Sequence, residues 1–192
     1  MIDDLGWDFE AARVLLALDV PLSFAILPET PHRIAIAQEA QQRRYDVLLH
    51  LPMEPHGAPH IDLGPYALKS AMKANELITR VEAALEAVPA AIGVNNHMGS
   101  RLTEDRAAML TLMQLIKRHK LFFLDSRTSK DSLAYQVAQE MGVPTAQRQV
   151  FLDNAAEPVK IAQQLQLLVA VARQHGQAIG IGHPYPATLR VL

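Results

Sequence analysis

The chain is predicted to be an α/β protein built on a parallel sheet. Short apolar runs rich in β-branched or aromatic residues alternate along its 192 residues with longer segments of helical period, the pattern of repeated βα units. Asp and His recur where those short runs end, and in parallel α/β folds the carboxyl ends of the strands are where ligands bind. The length suits one domain with a sizeable core, so 1–192 is read as a single unit.

In chain order, strands are expected at Met1-Ile2, Leu22 to Leu27, Val47 to Leu49, Ile92 to Val94, Leu121 to Leu124, Gln149 to Leu152 and Ala178 to Ile181, seven in all. Helices are expected over about Asp8 to Leu18, His32 to Arg44, Ala71 to Val88, Glu104 to His119, Lys130 to Met141 and Pro158 to His175. Ser129 is placed to cap the fifth helix and Gly142 to follow it; Pro158 suits the first position of the sixth and Gly176 its end. In the fourth helix Met109, Leu112, Met113 and Ile116 share one stripe, which must face the sheet. Residues from Glu54 to Ser70 hold Pro55, Gly57, Pro59, Gly64 and Pro65 without a period and read as a long loop at a strand end.

Composition excludes several classes of function. Hydrophobic residues make up 49% and charged residues 20%, which places the chain among folded proteins. The formal charge is -2 and the basic residues are scattered, so nucleic acid is not an expected partner. Without Cys, a metal must be held by His, Asp or Glu. No apolar run approaches the roughly 20 residues that span a bilayer, and no signal peptide is visible. The chain is expected to be cut at both ends, since only Met1 and Ile2 precede the acidic pair of the first strand and a new helix can begin near Leu192. The missing leader therefore says little. P-loop, GxGxxG, GxSxG and HExxH motifs are all absent.

Each polar strand end allows more than one reading. Asp3 and Asp4 diverge on extended backbone, but both reach one site at a turn, which Gly6 permits; the alternative is a cap on the first helix. His50, among apolar neighbours, is a core histidine or a ligand, and Glu54 is a second ligand or a solvated loop residue. Asn95-Asn96-His97-Met98-Gly99-Ser100 is the densest cluster. It is either a turn or a site in which His97 binds metal while Asn96, or a backbone N–H of Gly99 or Ser100, donates to an oxyanion. Asp125 binds metal, orients a histidine or pairs with Arg127. His183, restrained between Gly182 and Pro184, suits a general acid. His32, His56, His60, His119 and His175 are discounted as loop or helix-end residues.

Taken together, Ile2-Asp3-Asp4-Leu5-Gly6, His50-Leu51-Pro52-Met53, the Asn95 to Ser100 cluster, Phe123-Leu124-Asp125-Ser126, Phe151-Leu152-Asp153 and Ile181-Gly182-His183-Pro184 resemble the divergent polysaccharide deacetylase family. The likeness runs in order over essentially the whole chain. It implies a distorted seven-stranded (β/α) barrel and metal-dependent hydrolysis of N-acetyl groups on cell-envelope glycans. It also implies Asp3 as the base, Asp4 as a metal ligand and His183 as the general acid; in the mechanism built on these roles Asp125 is expected to orient His183. Zinc is the simplest metal for such a ligand set.

The chain departs from the pattern of the better-studied esterases in two places. Glu54 rather than His stands four residues after His50, so the second imidazole is assigned to His97, and the Arg-Pro motif after the fourth strand is missing. These departures keep two alternatives open: a non-catalytic envelope protein that binds glycan or a partner through the same rim, and a hydrolase of another cell-wall amide. The resemblance also implies a periplasmic or cell-envelope location.

Overall fold

The computed structural model describes residues 1–18, 20–57 and 61–192. Pro59 and His60 of the long loop lie outside the described residues. Strands β1 (Ile2–Leu5), β2 (Ser23–Ile26), β3 (Asp46–Met53), β4 (Gly93–Met98), β5 (Phe122–Asp125) and β6 (Thr145–Gln147) form one parallel sheet in that order. A second parallel ladder joins β7 (Val150–Phe151) to β8 (Gly180–Ile181). It reaches the first sheet through a bridge between Ile2 and Gly182, where the Asp3 N–H donates to the Gly182 carbonyl at 2.8 Å.

The expected seven strands are thus eight among the described residues. The extra one, β6, pairs Thr145 with Phe123 and Gln147 with Asp125. Its Thr-Ala-Gln sequence is half-buried and carries no apolar run, so periodicity could not reveal it.

The helices are α1 (Phe9–Leu16), α2 (Arg33–Gln42), α3 (Ala74–Ala87), α4 (Arg106–Arg118), α5 (Ala134–Glu140), α6 (Pro158–His175) and α7 (Pro186–Val191). Their starts follow side-chain chemistry. Asp8 accepts from the Ala11 N–H at the head of α1, and Asp105 accepts from Ala107 and Ala108 at the head of α4. Because Asp105 takes the cap, Glu104 falls in a preceding 3-10 turn, Leu102–Glu104. Ser129 does not cap α5, which begins four residues later than expected reach allows; its hydroxyl donates to Glu104 instead, at 2.5 Å.

The sheet divides its side chains by alternation. Phe24, Ile26, Val47, Leu49, Leu51, Val94 and Phe123 join the main core under the helices, together with the Met109, Leu112, Met113 and Ile116 stripe of α4. Ala25, Leu48, Leu124 and Ile181 form a smaller cluster on the other face. His50 lies between Leu49 and Leu51, so it falls on the Leu48 face, away from the helical layer.

Candidate metal centre

The centre starts from a break in β1. Its pairing with β2 is irregular between Ile2 and Leu5, and Asp4 has φ +57°, in the left-handed region. Extended backbone would send the Asp3 and Asp4 carboxylates to opposite faces; the irregularity turns both toward His50. Asp4 Oδ1 lies 3.1 Å from His50 Nε2, and Asp3 Oδ2 lies 3.6 Å from the same nitrogen. Gly6 allows the turn that follows, with φ +123°.

His97 comes from β4, whose register sets Asn95 opposite His50 and His97 opposite Pro52. Its Nδ1 is 2.8 Å from Asp4 Oδ1 and 3.1 Å from His50 Nε2. Asp4, His50 and His97 therefore form a three-donor cluster with edges of 2.8, 3.1 and 3.1 Å. A tetrahedral ion with bonds of about 2.0–2.1 Å separates its ligands by roughly 3.3 Å, so this triangle is near the size required. Asp4 Oδ1 is buried and takes no aligned hydrogen bond, as expected of an oxygen whose partner is a cation.

The electrostatics agree with the geometry. Burial alone lowers the His50 pKa, but the charges of Asp3 and of Asp4 beside it, together with the Asn95 bond, raise it to about 9. Burial tends to raise Asp4, yet both imidazoles hold it well below the usual carboxylate range. The pocket thus favours positive charge. Asp3 behaves in the opposite way: burial and the neighbouring Asp4 push its pKa up, and His50, His183 and the Asn95 bond offset only part of that.

His183 follows β8 and reaches the centre from the other side, with Nε2 3.8 Å from Asp4 Oδ2. Its Nδ1 faces Asp153 Oδ1 at 2.9 Å. Asp153 Oδ2 takes the His183 backbone N–H at 2.6 Å and the Thr188 hydroxyl at 2.7 Å. The Tyr185 ring stacks on the imidazole at 5.2 Å, and Phe151 lies against it at 5.4 Å.

The carboxylate that orients His183 is therefore Asp153, and the expectation for Asp125 is corrected. Asp125 is fully buried, and its oxygens accept from the Arg127 N–H, the Ser132 hydroxyl and the Tyr135 N–H. It organises the β5–α5 loop. Asp153 could have been found as another acid at a strand end; nothing in the spacing said which acid meets His183, because that depends on β7 and β8 pairing.

Two further expectations change, those for Asn96 and Glu54. The Asn96 side chain is not directed at an oxyanion, since its Nδ2 donates to the Met98 carbonyl at 2.7 Å and its Oδ1 accepts from Ser126 N–H at 2.9 Å. The Ser100 hydroxyl accepts from the His56 N–H, and Gly99, at φ +90°, lets β4 approach β3 so closely that a Cβ there would lie 2.8 Å from Met53 Cβ. Glu54 is neither ligand nor solvated: it accepts from the Ser70 N–H and hydroxyl at 2.7 and 2.6 Å and pairs with Arg101, fastening the long loop. Asn95, which carried no role in the sequence, bridges His50 and Asp3 with 3.0 Å contacts to each.

Proteins similar to this chain are known from bacteria. An uncharacterized protein of Haemophilus influenzae is 41% identical over all 192 residues, which cover 68% of its length. The uncharacterized protein YibQ of Escherichia coli is 38% identical over the same residues, which cover 60% of its length. The crystal structure of an uncharacterized protein from Agrobacterium tumefaciens C58 superposes with a TM-score of 0.93 at 26% identity, over 99% of this chain and 78% of that one. The family profile described as divergent polysaccharide deacetylase matches residues 1–192. The chain belongs to the divergent polysaccharide deacetylase family.

Proposed function

We propose that the protein is a metal-dependent hydrolase that removes acetyl groups from the amide nitrogens of a cell-envelope glycan, with zinc held by Asp4, His50 and His97. The single observation that carries this reading is the three-donor triangle at the strand ends, flanked by Asp3 on one side and the Asp153-held His183 on the other. A divalent ion bound there supplies Lewis acidity, lowering the pKa of a water and polarising the substrate carbonyl.

The chain's own groups divide the proton work. Asp3, shielded and with a raised pKa, takes the proton from the attacking water. His183 delivers a proton to the departing amine from Nε2, the nitrogen that faces the centre. Burial alone lowers its pKa, but Asp153 together with Asp4 and Asp3 raises it, which favours the imidazolium that a general acid requires. Because Asn96 and the Ser100 hydroxyl are engaged elsewhere, we assign oxyanion donation to the backbone N–H groups of Gly99 and Ser100.

The carbohydrate and envelope assignments rest on the family. The carbohydrate assignment is supported by the rim: Trp7, 57% exposed after β1, and Tyr185, 42% exposed after β8, follow strand ends joined by the Ile2–Gly182 bridge and offer flat apolar faces to a sugar ring. We read the sheet as a barrel whose ladder is interrupted between β6 and β7, because β8 returns to β1.

Protein purified without chelators or a His tag is expected to hold about one divalent ion per chain by elemental analysis and to release acetate from N-acetylated peptidoglycan or chitopentaose. No metal, with none retained after soaking, rejects the hydrolase. Metal and bound glycan without acetate release shifts the reading to a binding protein.

A further inference from the structure

Asn95 is fully buried and touches both halves of the centre. Its Nδ2 lies 3.0 Å from Asp3 Oδ1 and 3.1 Å from Ser126 Oγ, and its Oδ1 lies 3.0 Å from His50 Nδ1. The structure turns the amide so that its NH2 meets Asp3 and its oxygen meets His50, the orientation that Asp3 acting as an ionised base requires, since an ionised carboxylate only accepts. That orientation decides the imidazole. Only a protonated Nδ1 can donate to Asn95 Oδ1, which leaves the lone pair of neutral His50 on Nε2, the nitrogen 3.1 Å from both Asp4 Oδ1 and His97 Nδ1.

We propose that Asn95 is a positioning residue that locks His50 in its Nδ1–H tautomer, so that the Nε2 lone pair joins Asp4 and His97, while its NH2 anchors Asp3 beside them. The register explains the choice of side chain. Asn95 stands directly across from His50 in the β3–β4 ladder, and at the roughly 4.8 Å spacing of neighbouring strands the short Asn amide spans the gap, whereas Gln carries a further methylene. The neighbouring Asn96 cannot substitute, because alternation turns it to the other side and its amide is held by Met98 and Ser126.

The assignment rests on the metal-centre reading, and the test separates the two. In protein labelled with 15N-histidine and held at about pH 10, above the His50 pKa of about 9 so that the metal-free ring is neutral, the His50 ring, identified by its loss in His50→Gln, is expected to carry its one proton on Nδ1 and to shift at Nε2 when chelator-buffered Zn2+ is added. Asn95→Leu is expected to lose the Nδ1 preference and to bind Zn2+ about 10–100-fold more weakly in competition with a chelator. Asn95→Asp retains an acceptor for the Nδ1 proton and is expected to retain both the tautomer and most of the affinity, which keeps the assignment testable should the Leu variant fail to fold. A wild-type His50 protonated on Nε2, or Asn95→Leu with unchanged Zn2+ affinity, overturns the assignment. A wild-type His50 protonated on Nδ1 in a protein that binds no Zn2+ upholds the tautomer lock and removes the hydrolase reading instead.

Discussion

Asp153 holds His183 twice, through its imidazole Nδ1 at 2.9 Å and its backbone N–H at 2.6 Å. The side chain and the peptide of the same residue are thereby fixed by one carboxylate, which Thr188 in turn secures at 2.7 Å. A histidine held in this way keeps one nitrogen for support and one for the site.

The pair makes stability depend on pH. Burial lowers the His183 pKa, but Asp153, Asp4 and Asp3 together raise it above 6.5; burial raises the Asp153 pKa, but the bonds from His183 and Thr188 lower it below 3.8. The stabilisation is complete between 3.8 and 6.5. It fades as pH falls through the depressed Asp153 pKa and as pH rises through the elevated His183 pKa. Asp153→Asn is expected to cost about 2 kcal/mol within that window and less above it. Thermal unfolding of both proteins across pH checks this, and a gap that widens with rising pH contradicts it.

Asp4→Asn separates backbone from charge. Asn tolerates the left-handed φ of +57° well, so circular dichroism is expected to show an intact fold. The carboxylate between the two imidazoles is gone, and Zn2+ affinity is expected to fall by more than the roughly 10–100-fold typical of an outer-shell partner. Isothermal titration reads the difference.

Asp125→Ala tests the corrected role of that residue. Removing it strands the Ser132 hydroxyl and the Arg127 and Tyr135 N–H groups. Stability measured in urea is expected to drop by about 2–4 kcal/mol, with metal content per chain unchanged. Loss of metal at full stability would falsify the structural role.

Gly6→Ala is expected to destabilise by about 3 kcal/mol, combining strain at φ +123° with overpacking. An added Cβ would lie 1.9 Å from the Thr30 hydroxyl, which is buried and already donates to the Leu27 carbonyl at 2.7 Å. Melting temperatures of Gly6→Ala and of Gly6→Ala with Thr30→Ala check it; the second change should restore part of the loss.

Much of the fold was legible because apolar patterning is a local property. The α4 stripe of Met109, Leu112, Met113 and Ile116 is fully buried, and α6 runs from Pro158 to His175 with Gly176 at φ +80° behind it. What escaped notice was weakly apolar or locally ambiguous: β6 is three half-buried residues, and Ser129 had Glu104 as a competing partner. In the site, Asp3, Asp4, His50, His97 and His183 were readable as polar residues placed where strands end. Their partners were not, since Asn95 and Asp153 gain meaning only from which strand lies alongside.

The sequence by itself determined an α/β chain with its acids and imidazoles at the strand ends, because periodicity and the cost of burying polar groups are written residue by residue. Tertiary structure alone decided which of them meet. The left-handed turn at Asp4, the His50–Asn95 register and the pairing of β7 with β8 are long-range backbone facts, and a one-residue slip in any parallel ladder turns a side chain to the opposite face. For that reason two neighbouring carboxylates converge on one imidazole, while Asp125, an equally placed acid, holds a loop.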